Sequence, residues 1–146
     1  MRHQHLGLAG VASALALLAA CAGGIPLRES QQEERDRFSA YSGDPINEFT
    51  WFGHYDSWQP VGRDQLVVFT GASDAYLIKV GAPCDNVQFA KRIGLTSIAG
   101  AVHARFDSVI VGQWRCPIDE IRRVDYQRMK ADLRLEAQSR KAQAAQ

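Results

Sequence analysis

Three polar side chains recur at alternate positions of one short segment. His103, Arg105 and Asp107 alternate with apolar residues between Val102 and Phe106. Alternate side chains of a β-strand point to the same face, so this spacing would place an imidazole, a guanidinium and a carboxylate side by side. Such a face could bind an anion or a small polar ligand through Arg105. The alternative is a solvated strand face on which Arg105 and Asp107 pair weakly.

Enzyme chemistry has little support in the sequence. His54 and Asp56 could act as a general base and its orienting group, or they could be edge residues where a strand turns. The sequence contains no G-x-S-x-G, S-x-x-K or H-E-x-x-H motif and no phosphate-binding loop. We therefore predict no catalytic residue, no metal site and no cofactor, and we expect that the protein is not an enzyme.

The first 21 residues carry an export signal. Arg2 is the only charge in a short polar start, and residues 6–18 form an uncharged, mostly apolar stretch typical of a secretory signal peptide. The stretch ends in Leu-Ala-Ala-Cys at residues 18–21, which resembles the lipobox of bacterial lipoproteins. The resemblance implies diacylglyceryl transfer to the sulfur of Cys21, cleavage before Cys21, and acylation of the new amino group.

Several acyl chains on Cys21 would hold the protein stably on a membrane. Ala22, rather than Asp, follows the cysteine, and by the sorting pattern of lipoproteins this indicates the inner leaflet of the outer membrane, facing the periplasm. Two alternatives are an uncleaved anchor over the uncharged residues 6–27 and a cleaved signal peptide that leaves Cys21 free. Several glycines and Pro26 disfavour the continuous helix that an anchor needs.

The chain has three cysteines, an odd number for an exported protein. Lipidation would remove Cys21, so Cys84 and Cys116 should form a disulfide in the oxidising periplasm. The bond would close a loop of about 33 residues, for which the chain-entropy estimate is about 3.5–4 kcal/mol. A reactive thiol is disfavoured because no C-x-x-C motif is present. A zinc site that adds His54 and His103 is disfavoured because no two ligands are closely spaced.

The charge balance narrows the possible partners. Formal net charge is +1, and without the leader the chain would carry 16 basic and 16 acidic residues. A nucleic-acid binder would show a basic excess, and the same balance argues against a polybasic membrane patch. We expect no nucleic-acid partner.

The elements that must position these residues are mostly strands. Residues 65–70 and 75–80 predict a hairpin that turns at 71–73, and residues 100–106 and 109–114 predict two further strands. An aromatic-rich stretch with alternating character covers residues 46–55, and residues 83–90 predict an irregular or briefly helical segment. Apolar residues three apart at Ile118, Ile121 and Val124 predict a helical turn over residues 117–125.

Helices are expected at both ends of the mature chain. A weak capping box at Ser30 predicts a short helix over residues 31–41. Residues from 126 onward lack Gly and Pro and predict a helix with Asp125 as its N-cap. The predicted fold is mainly β: a small antiparallel barrel or sandwich with one disulfide, a short N-terminal helix and a C-terminal helix. The predicted divisions are a signal peptide (1–20), a tether and polar segment (21–37), a β-domain (38–125), and a helix with a frayed tail (126–146).

Five short segments of the mature part form a recognisable set: residues 58–62 (Trp-Gln-Pro-Val-Gly), 75–78 (Ala-Tyr-Leu-Ile), 93–97 (Ile-Gly-Leu-Thr-Ser), 105–107 (Arg-Phe-Asp) and 116–125 (from Cys-Pro-Ile to Val-Asp). In these segments the chain resembles an uncharacterised family of small envelope lipoproteins of Gram-negative bacteria, which is a domain of unknown function. The resemblance implies a paired Cys84–Cys116 and an envelope location, and it implies no activity.

The function expected from these observations is that of a lipid-anchored protein of the periplasm and outer membrane. It would be a non-enzymatic structural or interaction module whose partner is another envelope protein. The alternative function is a small polar-ligand-binding module that uses the face formed by His103, Arg105 and Asp107.

Overall fold

Two helices and nine strands make up the part of the chain that the computed structural model describes, residues 27–145. Cys21, the leader and the start of the predicted tether lie outside the described residues. The elements in chain order are α1 (Leu27–Ala40), β1 (Ser42–Ile46), β2 (Glu48–Thr50), β3 (Ser57–Pro60), β4 (Gln65–Phe69), β5 (Asp74–Val80), a 3-10 turn (Val87–Phe89), β6 (Ile93–Leu95), β7 (Ala101–His103), β8 (Ser108–Val111), β9 (Trp114–Asp125) and α2 (Tyr126–Ala144).

The sheet is organised by β9, which has neighbours along both edges. One edge pairs with β5, to which β4 and then β3 are added, all antiparallel. The other edge pairs with β8 near the start of β9 and with β1 near its end. A separate two-stranded ladder joins β2 to β7. The result is an antiparallel sheet curled into a half-barrel, which confirms the predicted fold class.

Both faces of this sheet are buried, as β4 shows most clearly. Leu66 and Val68 belong to one apolar core, whereas Val67 and Phe69 belong to another. Since neighbouring strand residues point to opposite faces, the unbroken apolar run of β4 is the pattern of a strand covered on both sides.

Each of the two apolar cores is covered by a different part of the chain. The β2–β7 ladder covers the first face, where Phe49 stacks on Tyr76 with ring centroids 4.2 Å apart. The two helices cover the second face: Phe38 of α1 meets Phe69 edge-on at 6.3 Å, and α2 contributes the buried Met129. Tyr126 and Leu133 pack beside Met129, so the thin apolar stripe of α2 docks on its own domain.

The helical turn predicted for residues 117–125 is wrong, because the whole segment belongs to β9. Lys79 pairs with Glu120 while Val80 pairs with Ile118, so Asp119 is an extra residue in a β-bulge. The bulge returns Ile121 to the same face as Ile118. Val124, an odd number of residues further on, points to the helix-covered face. In a strand, buried apolar residues can therefore lie three apart for two reasons: a bulge inserts one extra residue between them, or the two residues point to opposite faces that are both buried.

Other boundaries also differ from the predictions. Helix α1 begins at Leu27, earlier than the predicted residue 31. The aromatic-rich stretch 46–55 forms a strand only over Glu48–Thr50. The predicted strand over residues 100–106 ends at His103. Short strands β1, β3 and β6 were not predicted, because two of them contain Pro and the third has only three residues. Within residues 27–145, no helix is both long and apolar enough to cross a membrane.

The predicted disulfide is confirmed: Cys84 and Cys116 are bonded, with Cα atoms 5.5 Å apart. Cys84 follows β5, and Cys116 lies near the start of β9. The bond ties the segment that carries the 3-10 turn to the sheet. This segment has little regular structure of its own, so the covalent link restricts it strongly.

We predict that the double variant Cys84→Ser/Cys116→Ser loses about 3–4 kcal/mol of the free energy of unfolding, because its unfolded chain lacks a closed loop. Urea unfolding of the oxidised protein and the variant measures the difference, and reduced wild-type protein should match the variant. Mass spectrometry of the oxidised protein should find a linked Cys84–Cys116 peptide. Two free thiols would contradict the assignment.

Candidate functional site

The predicted face of His103, Arg105 and Asp107 is not a continuous strand face. Strand β7 ends at His103, and a turn follows in which Arg105 has a φ of 70°. The turn is closed by the amide of Asp107, which donates to the carbonyl of His103 at 3.1 Å. Arg105 is exposed, whereas Asp107 is only 3% exposed. The structure thus brings His103 and Asp107 together and leaves Arg105 at the outside of the turn.

The Asp107 carboxylate is saturated by its own chain. Its Oδ1 accepts from the Thr96 hydroxyl at 2.7 Å, and its Oδ2 accepts from the backbone amide of His103 at 2.9 Å. The Thr96 oxygen in turn accepts from the backbone amide of Ser108 at 2.8 Å. These bonds join the β7–β8 turn to the residue that follows β6, so Asp107 fixes the turn in place.

The imidazole of His103 lies between two carboxylates. Its Nδ1 is 3.1 Å from Asp107 Oδ2, and its Nε2 is 2.9 Å from Oε2 of Glu48. Glu48 is the residue that pairs with His103 across the β2–β7 ladder. Both ring nitrogens therefore have carboxylate partners, and the ring bridges the ladder to the turn.

Burial and hydrogen bonding act on Asp107 in opposite directions. Desolvation raises the pKa of its carboxyl, but the Thr96 hydroxyl and the His103 amide and ring outweigh it, and the net pKa is lowered. The group is therefore ionised at neutral pH despite its burial. Its geometry suits a structural anion that holds a turn, and a ligand-binding role for Arg105 stays a prediction.

His54 and Asp56 lie in the loop between β2 and β3. Both are exposed, and Nδ1 of the His54 ring lies 3.3 Å from the carbonyl oxygen of Phe52. Among the described residues, no hydrogen bond links His54 to Asp56, and no cluster of three His, Cys, Asp or Glu could hold a metal ion.

An open cleft of about 550 Å³ lies where β9 ends and α2 begins. Its walls combine aromatic rings with groups of both charges. They include Tyr41, Ser73, Asp74, Arg123, Asp125, Tyr126 and Gln127. A volume in this range is typical of small-ligand or short-peptide sites. None of the residues of the His103–Asp107 network lines this cleft.

The polar groups of the cleft are held in fixed positions. Arg123 Nη2 lies 2.8 Å from Asp74 Oδ1 across strands β9 and β5. Asp125 caps α2 by accepting from the amide of Arg128 at 3.1 Å, as predicted. Tyr41 donates to Asp132 at 2.8 Å, and this hydrogen bond raises the pKa of Tyr41. The cleft thus offers an ordered set of donors and acceptors.

This cleft could not be predicted from the sequence. Its wall residues come from three separate stretches, which meet through the pairing of β9 with β1 and β5 and through the turn into α2. Asp74 and Arg123 are far apart in the chain, and no motif links them. Only the Asp125 cap, which is a local signal, could be predicted.

A second, smaller cavity of about 150 Å³ lies beside the disulfide. Val87, Val111 and Trp114 line it with Pro83 and the two bonded cysteines. Among the tryptophans, Trp51 is buried and Trp58 packs against the core, but Trp114 is 58% exposed. The cavity therefore has a mostly apolar lining, to which Asn86 adds a polar side chain, and an exposed indole at its rim.

The fold and these sites define a small disulfide-linked half-barrel with two helices on one face. Residues 4–142 match the model of a family described as a family of unknown function, DUF6491, and the chain belongs to that family. Comparisons with curated proteins and with solved structures found no match. The expected membership of a family of unknown function is confirmed, and the envelope location stays a prediction.

We predict that Asp107→Asn lowers the free energy of unfolding by about 1–3 kcal/mol at neutral pH, since the new amide places a donor against existing donors. A carboxyl whose pKa is lowered on folding stabilises the fold above its unfolded pKa of about 4 and ceases to do so as the pH falls through its folded pKa. The difference between wild type and variant should therefore shrink below about pH 4.

Urea unfolding over this pH range measures the effect. Asp56→Asn, at an exposed aspartate, is the matched control and should show no comparable loss. An Asp107→Asn difference that is equally large at neutral and acidic pH would contradict the assigned role of the carboxylate.

Proposed function

We propose that the protein is a lipid-anchored, non-enzymatic module of the cell envelope that binds another envelope component through the cleft at the end of β9. Its acyl chains would lie on Cys21, in the inner leaflet of the outer membrane, and the domain would face the periplasm. The observation that carries the binding role is the cleft of about 550 Å³ with its ordered charges and tyrosines.

The chemistry of the cleft favours a polar partner segment. Asp74 and Arg123 are partly exposed, at 45% and 65% of their side chains, so each retains open hydrogen-bonding positions beside their ion pair. The ring of Tyr126 is held between Phe69, at 4.9 Å, and the ammonium of Lys130, at 4.5 Å. A peptide that carries both donors and acceptors, with an apolar group against the tyrosines, would match this surface.

The non-enzymatic role is supported by how the polar groups are used. Both ring nitrogens of His103 meet carboxylates, and Asp107 accepts from Thr96 and His103. Cys84 and Cys116 are bonded to each other. These groups serve the fold, which is why we prefer binding to catalysis.

A photo-crosslinking residue at Gln127, which lines the cleft, should capture one specific envelope protein in living cells. The same residue at Gln138, which is exposed further along α2, is the control and should not capture that protein. Repeated failure to recover any protein above background at Gln127 would contradict the proposal.

The double variant Asp74→Arg/Arg123→Asp tests whether the cleft charges matter. It keeps an ion pair but exchanges its ends, so we expect a melting temperature close to that of the wild type. Capture from Gln127 should be lost, because the partner meets each charge in the wrong place. Undiminished capture in a folded double variant would mean that the cleft does not recognise the partner.

The proposed attachment of acyl chains to Cys21 is tested separately. Cells fed an alkyne-tagged fatty acid should label the wild-type protein, whereas Cys21→Ser should remain unlabelled because it lacks the acceptor sulfur. Cys84→Ser/Cys116→Ser should still be labelled and is the control for cysteine loss. An unlabelled wild-type protein, or a labelled Cys21→Ser variant, would refute lipidation at Cys21.

A further inference from the structure

We propose that the end of the domain where β9 begins lies against the headgroup region of the lipid bilayer. We call this surface the Trp114 end and define it by five exposed residues: Phe89, Lys91, Arg92, Trp114 and Arg115. The inference rests on the proposed anchor at Cys21 and adds an orientation to it. It concerns a surface that the cleft does not include.

The apolar part of the Trp114 end comes from the first residue of β9 and from the neighbouring 3-10 turn. Trp114 is 58% exposed and Phe89, in the 3-10 turn, is 75% exposed. Val87 of the same turn lines the small cavity together with Trp114. Tryptophan combines an apolar ring with an N–H donor and is favoured at the membrane–water interface. The headgroup region satisfies both parts of the side chain.

Basic residues flank these aromatic side chains. In the register of three adjacent strands, Ile93 pairs with Val111, and Val111 pairs with Trp114. Lys91 and Arg92 directly precede Ile93, so they lie at the same strand ends as Trp114, and Arg115 follows it. Within residues 27–145, these three basic side chains form no ion pair, whereas the nearby Asp85 is paired with Arg63 at 2.9 Å. Unpaired cations complement phosphate groups.

The course of α1 directs the start of the chain to the same end. Phe38 packs on Phe69, at the far end of β4, whereas the side chain of Arg35 lies beside Gly62, in the turn that precedes β4. The helix therefore runs toward the β3–β4 turn as it is followed back to Leu27. That turn contacts the 3-10 segment, because the carbonyl of Arg63 accepts from the amide of Val87 at 3.1 Å.

The short segment between Cys21 and α1 then keeps the domain close to the membrane. The six residues 21–26 separate the anchor from α1, and six residues span at most about 20 Å. The cleft lies at the other end of β9, whose twelve residues span up to about 40 Å at the usual rise per residue. With the Trp114 end on the bilayer, the cleft would face away from it and remain open to a partner.

Docking of this kind orients the domain but does not attach it. The chain without its leader is electrically neutral by residue count, so charge alone would not hold it on a membrane. The acyl chains supply attachment, and the tether keeps the Trp114 end at high local concentration near the surface. Weak insertion of one or two aromatic side chains is then enough.

The test uses the full acylated protein in vesicles of brominated phosphatidylcholine, with and without phosphatidylglycerol. Bromine quenches indole emission on contact, so the emission of Trp114 should fall relative to vesicles of unbrominated lipid. Trp114→Phe should abolish most of the quenching, since Trp51 is buried and Trp58 is partly buried. Phe89→Ala with Lys91→Ala and Arg92→Ala should reduce it at least about twofold, by weakening insertion. Leu135→Ala, at an exposed residue of α2, is the matched control.

The possible outcomes separate the two proposals. An acylated protein that shows equal emission in brominated and unbrominated vesicles would overturn the docking and leave the proposed anchor intact. A chain that carries no acyl groups by mass spectrometry would refute the anchor itself. A change in Trp114 emission that follows protein concentration in detergent, without lipid quenching, would assign the surface to contact between copies and overturn the proposal.

Discussion

The pairing of β9 along both of its edges is the constraint on which the other parts of the domain depend. Its first residues hold β8, its last residues hold β1, and β5 runs along the opposite edge. Cys116 fixes the disulfide-bonded segment to this strand, and Asp125 ends it by capping α2. Both apolar cores also include residues of β9. Loss of the strand would separate the two covered faces and detach both candidate surfaces.

Local patterns predicted the parts of the fold whose causes are local. The hairpin of β4 and β5, the Asp125 cap and helix α2 each follow from a few neighbouring residues. The disulfide followed from the cysteine count together with the predicted export. The β9 segment was mistaken for a helical turn because a bulge at Asp119 and a second buried face produce helical spacing in a strand. Neither feature is visible without knowledge of the partner strands.

The candidate sites also combine features that neighbouring residues predict with features that depend on distant parts of the chain. His103 and Asp107 lie in contact, but the predicted strand face does not form because the chain turns after β7. A carboxylate that accepts from Thr96 and from a backbone amide stabilises a turn, and alternation alone does not reveal this. The cleft depends on the pairing of Asp74 with Asp125, and the exposure of Trp114 depends on where β8 reverses. Both the cleft and this exposure depend on the register in which the strands pair, which the sequence alone does not show.

The bulge at Asp119 also fixes the number of residues that this part of β9 must contain. Residues before it and after it are oriented correctly only because one extra residue lies between them, which is why Ile118 and Ile121 point into the same core. Removal of that one residue would turn Ile121 and Val124 to the wrong faces, so the core that contains Met129 would lose Val124. Substitutions at an exposed position are usually tolerated, but here a change in residue number would exchange the inside of the domain with its outside. In this segment the count of residues matters as much as their chemical type.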